Sequence, residues 1–248
     1  MQALAYTLIP LAALALGAIA TTIGKPGPRL RSGVHVAAGV VFAAAASEIL
    51  PDVKHGGPLL AVIIGALAGI AAMLAIKAIG ARMEGPIGLA TATGIDLLVD
   101  GLVLGISFTA GARQGVLLTI ALTLEVLFLG LTLVGAFGES MKRAKAIGAT
   151  IAVGLALPLG TLLGGPVGTL SQPVRTGFYA FGLIALLYLV TEELLVEAHQ
   201  EDADTPLVTS MFFFGFLAIL VIERLIPSPI ERHPCAQRRR PMDMMRHG

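Results

Sequence analysis

Cysteine occurs once in this chain, at Cys235, and tryptophan not at all. A single thiol near the end excludes an intrachain disulfide and a cysteine cage for a metal. Charge is scarce as well: Asp, Glu, Lys and Arg make up 13% of the 248 residues, and the net charge is +1. Soluble domains average about 25% charged residues, so water is not the main solvent here. The few basic residues lie in loops and a tail, which leaves no footprint for nucleic acid. No Gly-rich Lys-Ser/Thr phosphate loop is present, so any transport is driven by an ion gradient or by coupling to another protein.

What the chain has instead is apolar length. Hydrophobic residues make up 56% of it, and glycine alone contributes 30 residues. Glycine and alanine at this density indicate helices packed closely in lipid. A bilayer crossing takes about 20 apolar residues, and eight such runs can be placed, at roughly 4–23, 34–50, 59–79, 87–109, 116–137, 146–170, 177–198 and 207–226. The first has no basic stretch before it and is long enough to span, which reads as a retained helix rather than a cleaved signal. The second is expected to end at Pro51-Asp52. The sixth contains Pro158 and ends in Gly164-Gly165-Pro166, a composition that lets a helix break where neighbours re-satisfy its carbonyls. The expected organisation is one transmembrane domain over residues 1–227 and a polar basic tail over 228–248.

Lys and Arg set the expected orientation. The loops after the first, third and fifth runs hold Lys25, Arg29, Arg31, Arg82, Lys142, Arg143 and Lys145. The loops after the second, fourth and sixth hold only Lys54, Arg113 and Arg175. The first group is therefore expected on the cytoplasmic side and both termini outside, in a cell membrane (the inner membrane if the cell is bacterial).

Within the apolar runs stand Asp96, Asp100, Glu125 and Glu193. An ionisable group at membrane depth costs about 2.5–3.5 kcal/mol on insertion scales, so such groups are usually turned inward, paired and functional. Asp96 and Asp100 are four apart and share one helix face. Fixed anions on one face repel one another unless a cation sits between them, which suggests a cation site or path. Glu48 is a further candidate, either as a ligand or gate residue or as a water-exposed carboxylate at the rim. His35 and His55 are expected at the interface. His199, Glu197, Glu201 and Asp202 form a His/carboxylate cluster that either receives metal on release or is a solvated loop.

The segment Asp96-Leu97-Leu98-Val99-Asp100-Gly101, continuing to Gly105-Ile106-Ser107-Phe108, resembles the fourth helix of the ZIP family of divalent-metal transporters. That family carries His-Asn-x-Pro-Glu/Asp-Gly there, followed by Gly-x-Ser-Phe. Asp96 stands at the His, Leu97 at the Asn, Val99 at the Pro and Asp100 at the acid. In the fifth helix Glu125 stands at the family's leading His or Gln, with Val126, Phe128, Leu129 and Gly130 following. Glu192 to Glu197 with His199 are similar to the seventh-helix motif, and Ala44 to Asp52 resemble the end of the second helix. The resemblance implies an all-α membrane protein of eight transmembrane helices, a 3+2+3 bundle with inverted repeats, although no sequence echo between the halves stands out.

It also implies metal uptake into the cytoplasm. Leu97, Val126 and Leu129 cannot coordinate, so a single site is expected, built from Asp96, Asp100, Glu125 and Glu193, with Glu48 beside it. Oxygen-only ligands suit hard cations such as Mn²⁺ better than zinc. The divalent ion is the substrate, with zinc, manganese, iron or cadmium all open. One or two of the carboxylates would carry protons when no metal is bound. The motif prolines of the fourth and fifth helices are missing, which weakens the kinks they would give. Expected partners are the lipid bilayer and the metal ion; small-residue faces permit a homodimer without demanding one. Other readings stand beside this one: a proton- or sodium-coupled carrier of another substrate, a metal sensor without flux, and an intramembrane enzyme using the two aspartates as an acid/base pair. The last is disfavoured because aspartyl intramembrane proteases place their two aspartates on different helices, whereas Asp96 and Asp100 share one, so the protein is read as a non-enzyme.

Overall fold

A backbone with no water around it must satisfy its own N–H and C=O groups, and only helices or closed barrels do so across a bilayer. The computed structural model describes residues 2–22, 29–83, 85–196 and 206–225, and among them no strand occurs. The helices are α1 (Gln2–Ala20), α2 (Arg29–Ala44), α3 (Leu50–His55), α4 (Leu59–Arg82), α5 (Gly85–Ala110) and α6 (Ala112–Gly138), followed by α7 (Arg143–Gly154), α8 (Ala156–Gly164), α9 (Gln172–Leu189) and α10 (Pro206–Leu225). Among the described residues, seven stretches are long and apolar enough to cross a membrane. α10 is a helix of 20 residues where the eighth run was placed, about 30 Å long. The face of α4 that carries Leu59, Leu60, Ile63, Ile64 and Leu67 is exposed and apolar, as a surface facing hydrocarbon would be.

Two prolines shape the helices, Pro51 against expectation and Pro158 in line with it. The second run does not stop at Pro51. α2 starts earlier, at Arg29, and passes through a π-helical turn, Ala45–Ile49, straight into α3, which ends at His55. Pro51 would clash with the carbonyl four residues back, at Ser47. The wider π turn lies at that point, and Pro51 falls in the first turn of α3, where a missing N–H costs nothing. In the sixth run, Pro158 opposes the carbonyl of Gly154 in the same way. The helix breaks there: α7 ends at Gly154, and the Leu155 N–H turns back to the Ala152 carbonyl at 3.2 Å. By contrast α5 and α6 run unbroken through Val99 and Phe128, where proline is absent. The seventh run begins earlier than expected, with Pro173 in the first turn of α9, and passes into a second π turn, Val190–Leu194.

Four helix pairs dominate the packing: α1 with α6, α5 with α8, α2 with α10, and α4 with α9. Each is a close approach made by glycine. A Cβ on Gly17 would fall on the Leu127 carbonyl, and one on Gly130 on the Leu14 carbonyl. A Cβ on Gly160 would meet the Leu98 carbonyl, and one on Gly101 the Leu157 carbonyl. The α1/α6 and α5/α8 crossings are thus made by the same tetrapeptide pattern, Leu-x-x-Gly, at Leu14–Gly17, Leu127–Gly130, Leu157–Gly160 and Leu98–Gly101. Gly215 approaches Val36 of α2, and Gly69 approaches Phe181 of α9. The first π turn packs on α9 and the second on α2.

Alternation of the spans is visible in what gathers at one end of the bundle. Tyr6 and Phe108 are in ring contact there, with centroids 5.2 Å apart. Arg113 pairs with Glu223, and the Gln172 amide donates to the Gly56 carbonyl.

Candidate cation site

α5 and α6 each bury an acidic face inside the bundle, and the second span, more enclosed still, adds Glu48. Asp96 is 7% exposed, Asp100 2%, Glu125 4% and Glu48 5%. Glu48 is therefore not a water-exposed rim carboxylate; the π turn that spares Pro51 a clash turns it into the bundle.

Asp96 of α5 and Glu125 of α6 line one cavity of about 40 Å³. Thr132 adds a hydroxyl, and Val34, Phe128 and Leu189 contribute apolar wall. That is room for one or two water-sized bodies, the scale of a bare or partly hydrated cation. Leu97, Val126 and Leu157 pack beside the acids as a fully buried apolar cluster with Leu14, which keeps the surroundings of the charges dry. Asp100 lies one turn further along α5, and it is not among the residues lining this cavity. Glu193 occupies the fourth position of the second π turn, as Glu48 does of the first; its side chain lies outside the described residues. So do Glu197, His199, Glu201 and Asp202, and the tail over 228–248.

The structure thus brings two of the sequence-predicted acids to one cavity. Among the described residues no group of three or more His, Cys, Asp or Glu side chains is close enough to hold a metal ion. Glu192, next to Glu193 in the seventh-helix motif, faces outward. It binds Lys77 of α4 at 2.9 Å, with both side chains about half exposed, and the Lys77 ammonium lies 5.8 Å from the centre of the Tyr188 ring.

His35 is corrected by the structure. It is 1% exposed, next in sequence to the cavity-lining Val34, because α2 begins at Arg29 and carries it well inside the bundle. His55 is exposed, with Nδ1 3.0 Å from the Pro51 carbonyl oxygen. Arg113 was read only as a loop charge. Its Nη2 donates to the Glu223 main-chain carbonyl at 3.0 Å and pairs with Glu223 Oε1 at 3.2 Å. An arginine one residue inside a helix start carries no sequence mark of a partner some hundred residues away.

A second, polar cavity of about 210 Å³ opens at the Arg113 end, lined by Asp52, Thr109, Gln172, Arg175, Thr176 and Tyr179 among others. Asp52 follows Glu48 by four residues, so acids run from this cavity inward through the π turn.

No protein-family model matches the chain, and no curated protein matches its sequence.

Proposed function

We propose that this protein carries a divalent metal ion across a membrane, with Asp96 and Glu125 as the central binding pair. The observation that carries the reading is their convergence: two acids from different helices, both buried, on one cavity in an all-helical bundle. Each is costly to hold in an apolar interior, and a cation between them removes that cost. Asp100 and Glu193 would complete the coordination when metal is bound. Glu48 would serve the approach from the polar cavity. The resemblance to ZIP transporters favours a divalent ion, and an oxygen-only donor set favours Mn²⁺ over zinc among zinc, manganese, iron and cadmium.

Inverted repeats, α1 to α4 against α7 to α10 around α5 and α6, fit the packing. The register shift that carries Gly17 onto Gly160 carries Leu14 onto Leu157. The shift that carries Gly130 onto Gly101 carries Leu127 onto Leu98 and Glu125 onto Asp96. The shift between the two π turns carries Glu48 onto Glu193 and Val36 onto Phe181. Two halves of one design around a fixed site are the usual substrate of alternating access. We place the protein in the cell membrane with both termini outside, on the distribution of Lys and Arg, and metal moving inward.

One observation favours a second reading. A cavity with two carboxylates and a threonine, and no third strong ligand among the described residues, also suits a proton- or Na⁺-coupled carrier of another substrate. The test is uptake by purified protein in liposomes of Mn²⁺, Zn²⁺, Fe²⁺ and Cd²⁺, each with and without proton and sodium gradients. Saturable metal uptake that D96N abolishes supports the first reading. Metal binding without flux would make the protein a sensor, and sodium or proton flux without metal flux would favour the second reading.

A further inference from the structure

The polar cavity at the Arg113 end has two electrical poles. Asp52 and Arg175 both line it, and both are half-buried. Among the described residues neither forms an ion pair, with the other or with any further side chain. Arg175 is the fourth residue of α9, so its cation adds to the positive end of the helix dipole, a place that usually favours acids. The negative pole is Asp52 of α3 together with the end of α5, where Thr109 and Ala110 line the cavity and the last carbonyls lack helical donors. The walls are held by bonds that use neither charge. The Gln172 amide donates to the Gly56 carbonyl, the Thr176 hydroxyl donates to the Gln172 main-chain carbonyl at 3.0 Å, and the Thr109 and Tyr179 hydroxyls lie 3.4 Å apart. The Asp52 carboxylate and the Arg175 fork are thus left for a guest.

We propose that this cavity binds a small zwitterion of the α-amino-acid class, its ammonium on Asp52 and its carboxylate on Arg175. A lone cation would meet Arg175 and a lone anion would meet Asp52, whereas a molecule carrying both charges is attracted at each end. The guanidinium fork matches a carboxylate with two parallel hydrogen bonds. The volume of about 210 Å³ is room for about seven waters at about 30 Å³ each. It falls below the roughly 300 Å³ at which pockets for drug-sized ligands begin, so the guest is small. The cavity shares no lining residue with the one between Asp96 and Glu125, and this inference goes beyond the metal reading without depending on it.

The test is calorimetry on the purified full chain in detergent with three compounds: alanine, alanine methyl ester, which lacks the carboxylate, and N-acetylalanine, which lacks the ammonium. Alanine should bind wild type at least about tenfold tighter than either analogue, since each loses one charge-assisted contact. This comparison needs no variant and so does not turn on folding. R175Q should lower the alanine affinity to that of the ester on wild type, and D52N to that of N-acetylalanine. R175K keeps the charge without the planar fork and should fall between wild type and R175Q. Folding of each variant is checked by size exclusion, and K77A, outside the cavity, should bind alanine as wild type does. Alanine binding in this order supports the proposal whether or not Mn²⁺ is transported. Equal affinities for the three compounds, binding of one analogue alone, or no binding of alanine by wild type overturns it. So does an alanine affinity that folded R175Q and D52N leave unchanged.

Discussion

Asp96 and Glu125 occupy equivalent places on α5 and α6: each lies two residues before the leucine of a Leu-x-x-Gly crossing, at Leu98–Gly101 and at Leu127–Gly130. The two helices meet different partners, α8 and α1, by the same contact. They present their acids to a shared cavity from matching positions.

Matching positions predict matching losses. D96N and E125Q should each lower Mn²⁺ uptake by at least about tenfold, equivalent to about 1.4 kcal/mol. The exchanged pair D96E/E125D should keep uptake within about threefold, equivalent to about 0.7 kcal/mol, since both acids remain on the cavity. Liposome flux with inside-out and right-side-out populations separated is the measurement. A large loss from one substitution and none from the other would argue against a shared site.

Asp100 is the most enclosed of the described acids and has Leu129 as its counterpart on α6, so nothing duplicates it. D100A should abolish ion movement while the protein still elutes as a folded species. Unchanged uptake would count heavily against a path along this face of α5.

The glycine crossings predict a sharp positional contrast. A methyl group at Gly101 would run into main chain, the Leu157 carbonyl and the Thr161 nitrogen, and overpacking of this kind costs about 1–3 kcal/mol. G101A should therefore lower the melting temperature in detergent by several degrees. Gly148 has open space where its Cβ would lie. G148A should be neutral or slightly stabilising, by up to about 1 kcal/mol.

Lys77 and Glu192 provide a control. Their contact is exposed on the outer face of α4 and the second π turn, and exposed pairs contribute little. K77A should leave Mn²⁺ uptake at the wild-type level. A clear change in KM would place this pair on the cation route and displace the interior one.

The interior acids were legible from sequence because a carboxylate in an apolar run is conspicuous whatever its neighbours are. So was the break at Pro158, since the clash of a proline with the carbonyl four residues back is local. Pro51 misled for the same local reason: a π turn absorbs the clash at the cost of one extra residue, and nothing in Ala45 to Ile49 announces it. The burial of His35 depended on where α2 begins, which the polar residues before Val34 obscure. The Leu-x-x-Gly pattern is present seven times along the chain, and in a chain this rich in leucine and glycine a four-residue pattern does not rise above chance. Only the crossings reveal that it marks contacts. The pairing of Arg113 with Glu223 is a product of tertiary folding and has no local trace.

The glycines at Gly101 and Gly160 set main chain against main chain where α5 crosses α8. Surfaces joined that way have no spare room to ratchet by a turn. Any switch between inward- and outward-facing forms must then carry α5 with α8, and α1 with α6, as two plates turning against each other, with the seam running between Asp96 and Glu125.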